Sequence, residues 1–335
     1  MFDSHYDLLT VLRRSILKKD YTFLQEQLKN YQQNNVTGLI ANLYFMTNHE
    51  MQEELHQHYF QNDTSVYDMF KETTEIINNF ALPIDLTYSI EGCTYLEISD
   101  LKRLYDIGLK IILPVWNDKN KYGSGNREQG GLTSLGRKLI NEAIDVGLAI
   151  DVSHANEETF NDILDIILYK KFQGLKPIVL ASHSNCYSIC PRKRNLTDEQ
   201  LQRIKNVDGY LGILSNINFI KIGALKDRQN IQLNQRKVQE ALEINYLRHI
   251  HHAGKIIGLN NIILATDDMS FLQDYDTEYA QLALFPYATL KEKTIELLQK
   301  KDSSLTNFTD EEINNLIYNN GKTLVKKITS LSKMK

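Results

Sequence analysis

Short apolar runs alternate with longer amphipathic stretches along the chain. Seven runs read as strands: Leu39–Phe45, Pro83–Ile90, Leu109–Trp116, Leu148–Val152, Pro177–Ala181, Tyr210–Leu214 and Ile262–Thr266. They are apolar along most of their length instead of alternating, as parallel strands buried on both faces are. The stretches between them read as helices. Leu132, Leu135, Leu139, Ala143 and Ile144 form one apolar stripe that Gly147 ends. Thr197 with Gln200, and Thr309 with Glu312, have the spacing of capping boxes, and Gly258 closes a long helix before Ile262. Strand and helix in alternation mean a parallel sheet.

The polar residues fall where these strands end. Glu91 follows Ile90, His154 follows Ile150-Asp151-Val152-Ser153, His183 follows Val179-Leu180-Ala181-Ser182, and Asp267 follows Ile263-Leu264-Ala265-Thr266. His5 and Asp7 come just after a Met1-Phe2 stub, read as the remnant of a first strand. With the stub there are eight strands, and the pattern predicts an α/β fold, a (β/α)₈ TIM barrel. Such a barrel gathers all its strand ends at one catalytic rim. A doubly wound open sheet would instead spread these groups along an edge.

Length and composition narrow the class. The 335 residues suit one barrel domain spanning 1–335, 42% apolar residues supply its core, and no linker or low-complexity tract divides it. A formal net charge of −4 gives no general attraction to nucleic acid or acidic membranes. No apolar run approaches the ~20 residues that span a bilayer. The opening residues lack the basic stretch and apolar core of a signal peptide. Three cysteines (Cys93, Cys186, Cys190) make no disulfide framework, and a cytoplasmic setting is expected.

His5 and Asp7 stand two apart, so on a strand both side chains point the same way. His154, His183 and Glu91 add two imidazoles and a carboxylate from other strand ends. Three imidazoles with carboxylates suit zinc better than calcium or magnesium. Five ligands exceed the needs of one catalytic zinc, which predicts two Zn²⁺ per chain bridged by Glu91. Taken singly, a histidine after an apolar strand reads as a hydrogen-bonded structural residue. Four polar groups at separate strand ends read as a cluster.

Ile150-Asp-Val-Ser-His154, Ala181-Ser-His-Ser-Asn185 and Arg194-Asn-Leu-Thr-Asp198 resemble the renal (membrane) dipeptidase family of zinc peptidases, in its bacterial form. The resemblance begins at Asp3-Ser-His-Tyr-Asp7 and continues through Ile90-Glu-Gly92 and Gly131-Leu-Thr-Ser-Leu-Gly136. It implies a barrel of the metal-dependent, amidohydrolase-like type and a metallo-dipeptidase in which His5 and Asp7 hold one zinc, His154 and His183 the other, and a hydroxide shared by the ions attacks the amide. Asp267 would handle the proton of the attacking water, and Arg194 would hold the substrate's carboxylate in a bidentate fork. The resemblance also implies a homodimer, and often tolerance of a D-residue at the substrate's C-terminal position.

Two stretches depart from the family pattern. Where mammalian members carry a carbonyl-polarising histidine, this chain reads Leu113-Pro-Val-Trp-Asn117, which makes Trp116 a substrate-binding candidate. Where Gly-x-Asp-Phe-Asp-Gly is usual, it reads Ala265-Thr-Asp-Asp-Met-Ser270, with Met269 and Ser270 in altered positions. Asn117 and Asn216 are further candidates for substrate contact, and Asp151 and Ser153 for support of His154. His249, His251 and His252, on the helical stretch Val238–Ile257, read as solvated or capping residues, and His49, His56 and His58 as part of a surface helix. Cys186 and Cys190 read as small buried hydrophobes, and the lysines near the C-terminus as a solvated helix end. Rival functions are an amide hydrolase acting on N-acyl amino acids or β-lactams, a metal-dependent nuclease, and a binding protein without catalysis. The Arg192-Lys193-Arg194 cluster is too small for a nuclease rim.

Overall fold

The computed structural model describes residues 1–45, 64–80, 82–270, 278, 281–285, 289–300, 305 and 307–331. Eight parallel strands follow one another in chain order: β1 Phe2–Tyr6, β2 Gly38–Tyr44, β3 Asp85–Glu91, β4 Leu109–Leu113, β5 Ala149–Asp151, β6 Val179–Ser184, β7 Tyr210–Leu214 and β8 Ile262–Ala265. Helices return the chain between successive strands, among them Leu8–Lys18, Val66–Asn79, Ser134–Val146, Glu157–Phe172, Asp198–Asn206 and Gln235–Ile257. This is the expected (β/α)₈ barrel. Its closing seam relies heavily on side chains. Ser4 Oγ donates to Leu264 O (3.0 Å) and Thr266 N–H donates to Asp3 Oδ1 (3.0 Å), beside one backbone bond from Asp267 N–H to His5 O (3.1 Å).

The strand patterns hold, with corrections at their ends. The supposed Met1-Phe2 stub is a full strand that carries His5 within it. The strand through Leu113 stops there because Pro114 cannot donate to a ladder. The sixth runs on through Ser182, His183 and Ser184, because a barrel interior takes polar side chains near its mouth. Both capping boxes form, and Gly147 (φ 102°) and Gly258 (φ 90°) end their helices. Leu135 leaves the predicted stripe: the helix starts at Ser134 behind a Thr133 cap, and Leu135 points to solvent, 42% exposed.

The core has two parts. A large cluster fills the space between barrel and helices. A smaller one plugs the barrel end opposite the rim with Phe2, Ile40, Ile111, Ala149, Leu180, Tyr210 and Ile263, one residue from each of seven strands. Leu324 and Ile328, on helix Asn320–Ser330, cap that plug. Phe2 packs so closely on this helix that a Cβ at Gly321 would come within 2.2 Å of its ring.

Candidate metal centre

Side chains from four regions of the barrel meet at its mouth. His5 comes from within β1, Glu91 is the last residue of β3, His183 lies in β6, and His154 follows β5 by three residues. All are buried or nearly so, and their ligand atoms converge. His5 Nε2 lies 2.9 Å from Glu91 Oε2. His154 Nε2 lies 3.0 Å from Glu91 Oε1 and 2.9 Å from His183 Nε2, and His183 Nε2 is 3.7 Å from that same Oε1. One Glu91 oxygen therefore faces the β1 histidine and the other faces the remaining two. Donor atoms of His5, Glu91 and His183 gather within 4.8 Å, as do those of His5, Asp7 and Asp267.

Local backbone geometry aims these groups. The β1 ladder on β2 shifts register between Asp3 and Tyr6, and the β6 ladder on β7 shifts between Ala181 and Ser184. Each irregularity holds a histidine, and such bulges re-aim side chains. His154 (φ 67°) and Asp267 (φ 46°) adopt the left-handed conformation, which costs a non-glycine residue of order 1 kcal/mol and clusters at functional sites.

The electrostatics suit a cation. Burial opposes charge on His5, but Glu91 outweighs it and lifts the imidazole to about 9. Burial also opposes charge on Glu91, yet His5 and His154 hold it well below the usual carboxylate range. Burial keeps His154 neutral, at about 3, with Arg194 adding to the effect, and burial and His5 hold His183 low. Asp7 is raised, first by burial and then by Glu91, and its Oδ1 is buried without a hydrogen-bond partner. An orphaned carboxylate oxygen beside facing imidazole nitrogens is the donor set of a cation, and the residues fit zinc.

The second candidate set surrounds a cavity of about 90 Å³ lined by Asp7, Glu91, His154, Arg194, Asp267 and Trp116, with Asn117, Asn216 and Met269. Arg194 is buried; its Nη1 donates to Ser184 Oγ (2.8 Å) and its Nη2 to His183 O (2.7 Å). Asp267 approaches His5 Nε2 at 3.9 Å, and burial raises its carboxyl to about 7 against the pull of His5. Trp116 packs between Tyr44 and His154, with ring centroids 5.3 and 5.9 Å away. Asn117 borders the cavity, but its Oδ1 accepts from His154 Nδ1 at 2.8 Å and so supports that imidazole. A larger groove of about 800 Å³, lined by Arg228, Glu243 and Lys293 among others, shares none of these residues.

Several residues of the centre were not foreseen. Ser182 Oγ lies beside the Nδ1 atoms of His5 and His183. Asn42 Nδ2 sits 2.7 Å from His5 Nε2 and 3.4 Å from Glu91 Oε2, with Ser89 Oγ donating to its Oδ1. A lone asparagine in the apolar run Leu39–Phe45 was the available signal. His249 requires a correction: it is fully buried, accepts from Cys186 N–H (3.1 Å) and bonds Ile220 O (3.1 Å). His252 pairs with Asp198 (2.7 Å) and His251 stacks on Phe308. Cys186 and Cys190 are buried, as expected. His49, His56 and His58 lie outside the described residues.

Residues 1–275 match the membrane dipeptidase family, peptidase family M19. The chain belongs to this family. Among its relatives, the Claviceps purpurea "Dipeptidase tcpJ" is 29% identical over half of this chain and 36% of its own length. The Klebsiella pneumoniae "Uncharacterized protein in pqqA 5'region" is 31% identical over 51% of this chain and 59% of its own. The matched part of the chain thus covers less than two thirds of these relatives' own length. In three dimensions, a Rhodobacter sphaeroides metallo peptidase, solved with a phosphinate mimic of L-Ala-D-Ala, superimposes over 98% of this chain and 99% of its own, with a TM-score of 0.68 at 16% identity. The dipeptidase AC, also of family M19, covers 97% of each chain with a TM-score of 0.65 at 19% identity. At such identities the two superpositions speak for the fold alone.

Proposed function

We propose that the chain is a dipeptidase using two Zn²⁺, held by His5 and Asp7 on one side and His154 and His183 on the other, with Glu91 between. The observation that carries this reading is that Arg194 and Asp267 line the same small cavity as Glu91, Asp7 and His154. Bound there, the ions supply an activated water and polarise the scissile carbonyl. The protein's own groups do the rest. Arg194 has five N–H donors, of which two are spent on Ser184 and His183; the others pair with the free carboxylate of the substrate and set its distance from the reacting amide. Asp267, raised by burial to about 7, takes the proton of the attacking water and returns it to the leaving amine. The aromatic wall of Trp116 and Tyr44 excludes water from the reacting centre.

Residues 1–335 act as one unit in this reading, and a homodimer in a reducing, cytoplasmic compartment completes it. Three free, buried cysteines are consistent with that compartment, and among the described residues no helix is long and apolar enough to cross a membrane.

The test is hydrolysis by the zinc-loaded protein of dipeptides, their C-terminal amides, N-acyl amino acids and β-lactams. Free-carboxylate dipeptides should be cleaved and their amides spared. Arg194→Ala should raise KM for dipeptides about a hundredfold, since a charge-assisted hydrogen-bond pair contributes about 3 kcal/mol. An unchanged KM removes Arg194 from the scheme, and turnover of lactams or N-acyl amino acids alone replaces dipeptides as the substrate class.

A further inference from the structure

Ser182 is held in place by its backbone. Its N–H donates to Asp151 Oδ1 (3.1 Å), which also accepts from Ser153 N–H (2.9 Å), and its carbonyl accepts from Ser4 Oγ (2.7 Å). From this fixed point the hydroxyl reaches two imidazoles from opposite sides of the proposed metal pair. Oγ is 3.0 Å from His5 Nδ1 and 2.7 Å from His183 Nδ1, and the two rings lie with centroids 3.6 Å apart. The three residues are buried.

We propose that Ser182 is a positioning residue that fixes one histidine of each metal position through a single hydroxyl. The inference rests on the two-ion reading above. A histidine binds a cation through Nε2 only when its proton sits on Nδ1, and the partner of Nδ1 decides that tautomer. A serine hydroxyl offers two lone pairs and one proton. Donation from both Nδ1–H groups fills the two lone pairs. His154 is served separately by Asn117, so the Ser182 effect is confined to His5 and His183.

Loss of this hydroxyl should therefore loosen both ions together, where loss of a support for one ligand loosens one. Co²⁺ alone, added to metal-free protein and followed by its visible absorption, reads both positions without reference to activity. Ser182→Ala and Ser182→Cys should each weaken both Co²⁺ equivalents by about 10- to 100-fold, and Ser182→Thr, which keeps the hydroxyl, should restore them to within a few-fold. In metal-free protein, ¹⁵N NMR should show the Nδ1–H tautomer at His183, the imidazole that burial keeps neutral, in the wild type and mixed tautomers in the Cys variant. Unchanged Co²⁺ binding in both variants, or weakening of one equivalent only, overturns the proposal, as does an Nε2–H tautomer at His183 in the wild type. A wild-type protein that takes up a single Co²⁺ defeats the two-ion reading and the shared role with it. Tight binding of two Co²⁺ without dipeptide cleavage defeats the substrate assignment and leaves Ser182 in place.

Discussion

Asp267 carries the sharpest ambiguity at the mouth of the barrel. Its carboxylate belongs geometrically with His5 and Asp7, as a third ligand would, yet burial sets it to about 7, as a proton carrier needs. Asp267→Asn separates the two. As a proton carrier, the variant keeps both metal equivalents while kcat falls by about 10²- to 10⁴-fold; as a ligand, it loses one equivalent, which a metal titration detects. The histidines and carboxylates that meet at the centre stood out in the chain because each lies in the last residues of a strand or just beyond it, where an apolar run breaks into a polar side chain. What spacing could not convey was the supporting layer. Ser182 and Asn42 are small polar residues on strands, and only closure of the barrel brings them against imidazoles far away in sequence. Asn117 was legible as part of the rim but not in its role, because its side chain turns to His154.

Helix Gln235–Ile257 shows how a periodic pattern can be read too bluntly. Its buried positions include Leu242, Tyr246, His249, Ile250, Ala253 and Ile257, so His249 falls on the apolar stripe. A histidine there reads as polar and therefore outward, yet both its ring nitrogens find backbone partners, and the neutral ring ties the helix to the segment that carries Arg194. Protonation would set a second N–H against Cys186 N–H. Burial accordingly lowers His249 to about 4, from an ordinary 6.5. The unfolded chain then binds the extra proton first, so the His249 contribution to stability is complete above about pH 6.5 and declines as pH falls toward 4. The full difference is about 3 kcal/mol. His154 and His183 are lowered too, so the informative quantity is the wild type compared with His249→Gln in urea unfolding at pH 7.5 and pH 5. The wild type should lose more stability between those pH values than the variant does; equal losses would show that the ring is not kept neutral by its burial.

The barrel as a whole is sealed unevenly. Its strands pair in order from β1 to β8, but between β8 and β1 Asp3, Ser4 and Thr266 supply side-chain bonds beside the Asp267–His5 backbone contact. His5 stands on one side of this seam, and Glu91, His154 and His183 stand on strands or strand ends around the ring. In the proposed two-ion reading, cations held there would tie β1 to β3, β5 and β6, so metal binding should stabilise the closed barrel as well as equip it for chemistry. A ligand that binds only the folded state adds about 4 kcal/mol at a thousandfold excess over its Kd. Zinc removal by a chelator should therefore lower Tm by several degrees, and zinc returned in excess should restore it. The same shift should persist in Arg194→Ala, which touches the cavity but supplies no ligand, and should shrink in His183→Ala, which removes one. An equal Tm with and without zinc, in protein shown to bind it, would mean that the barrel closes fully on its side-chain seam and that the ligands meet without help from the ions.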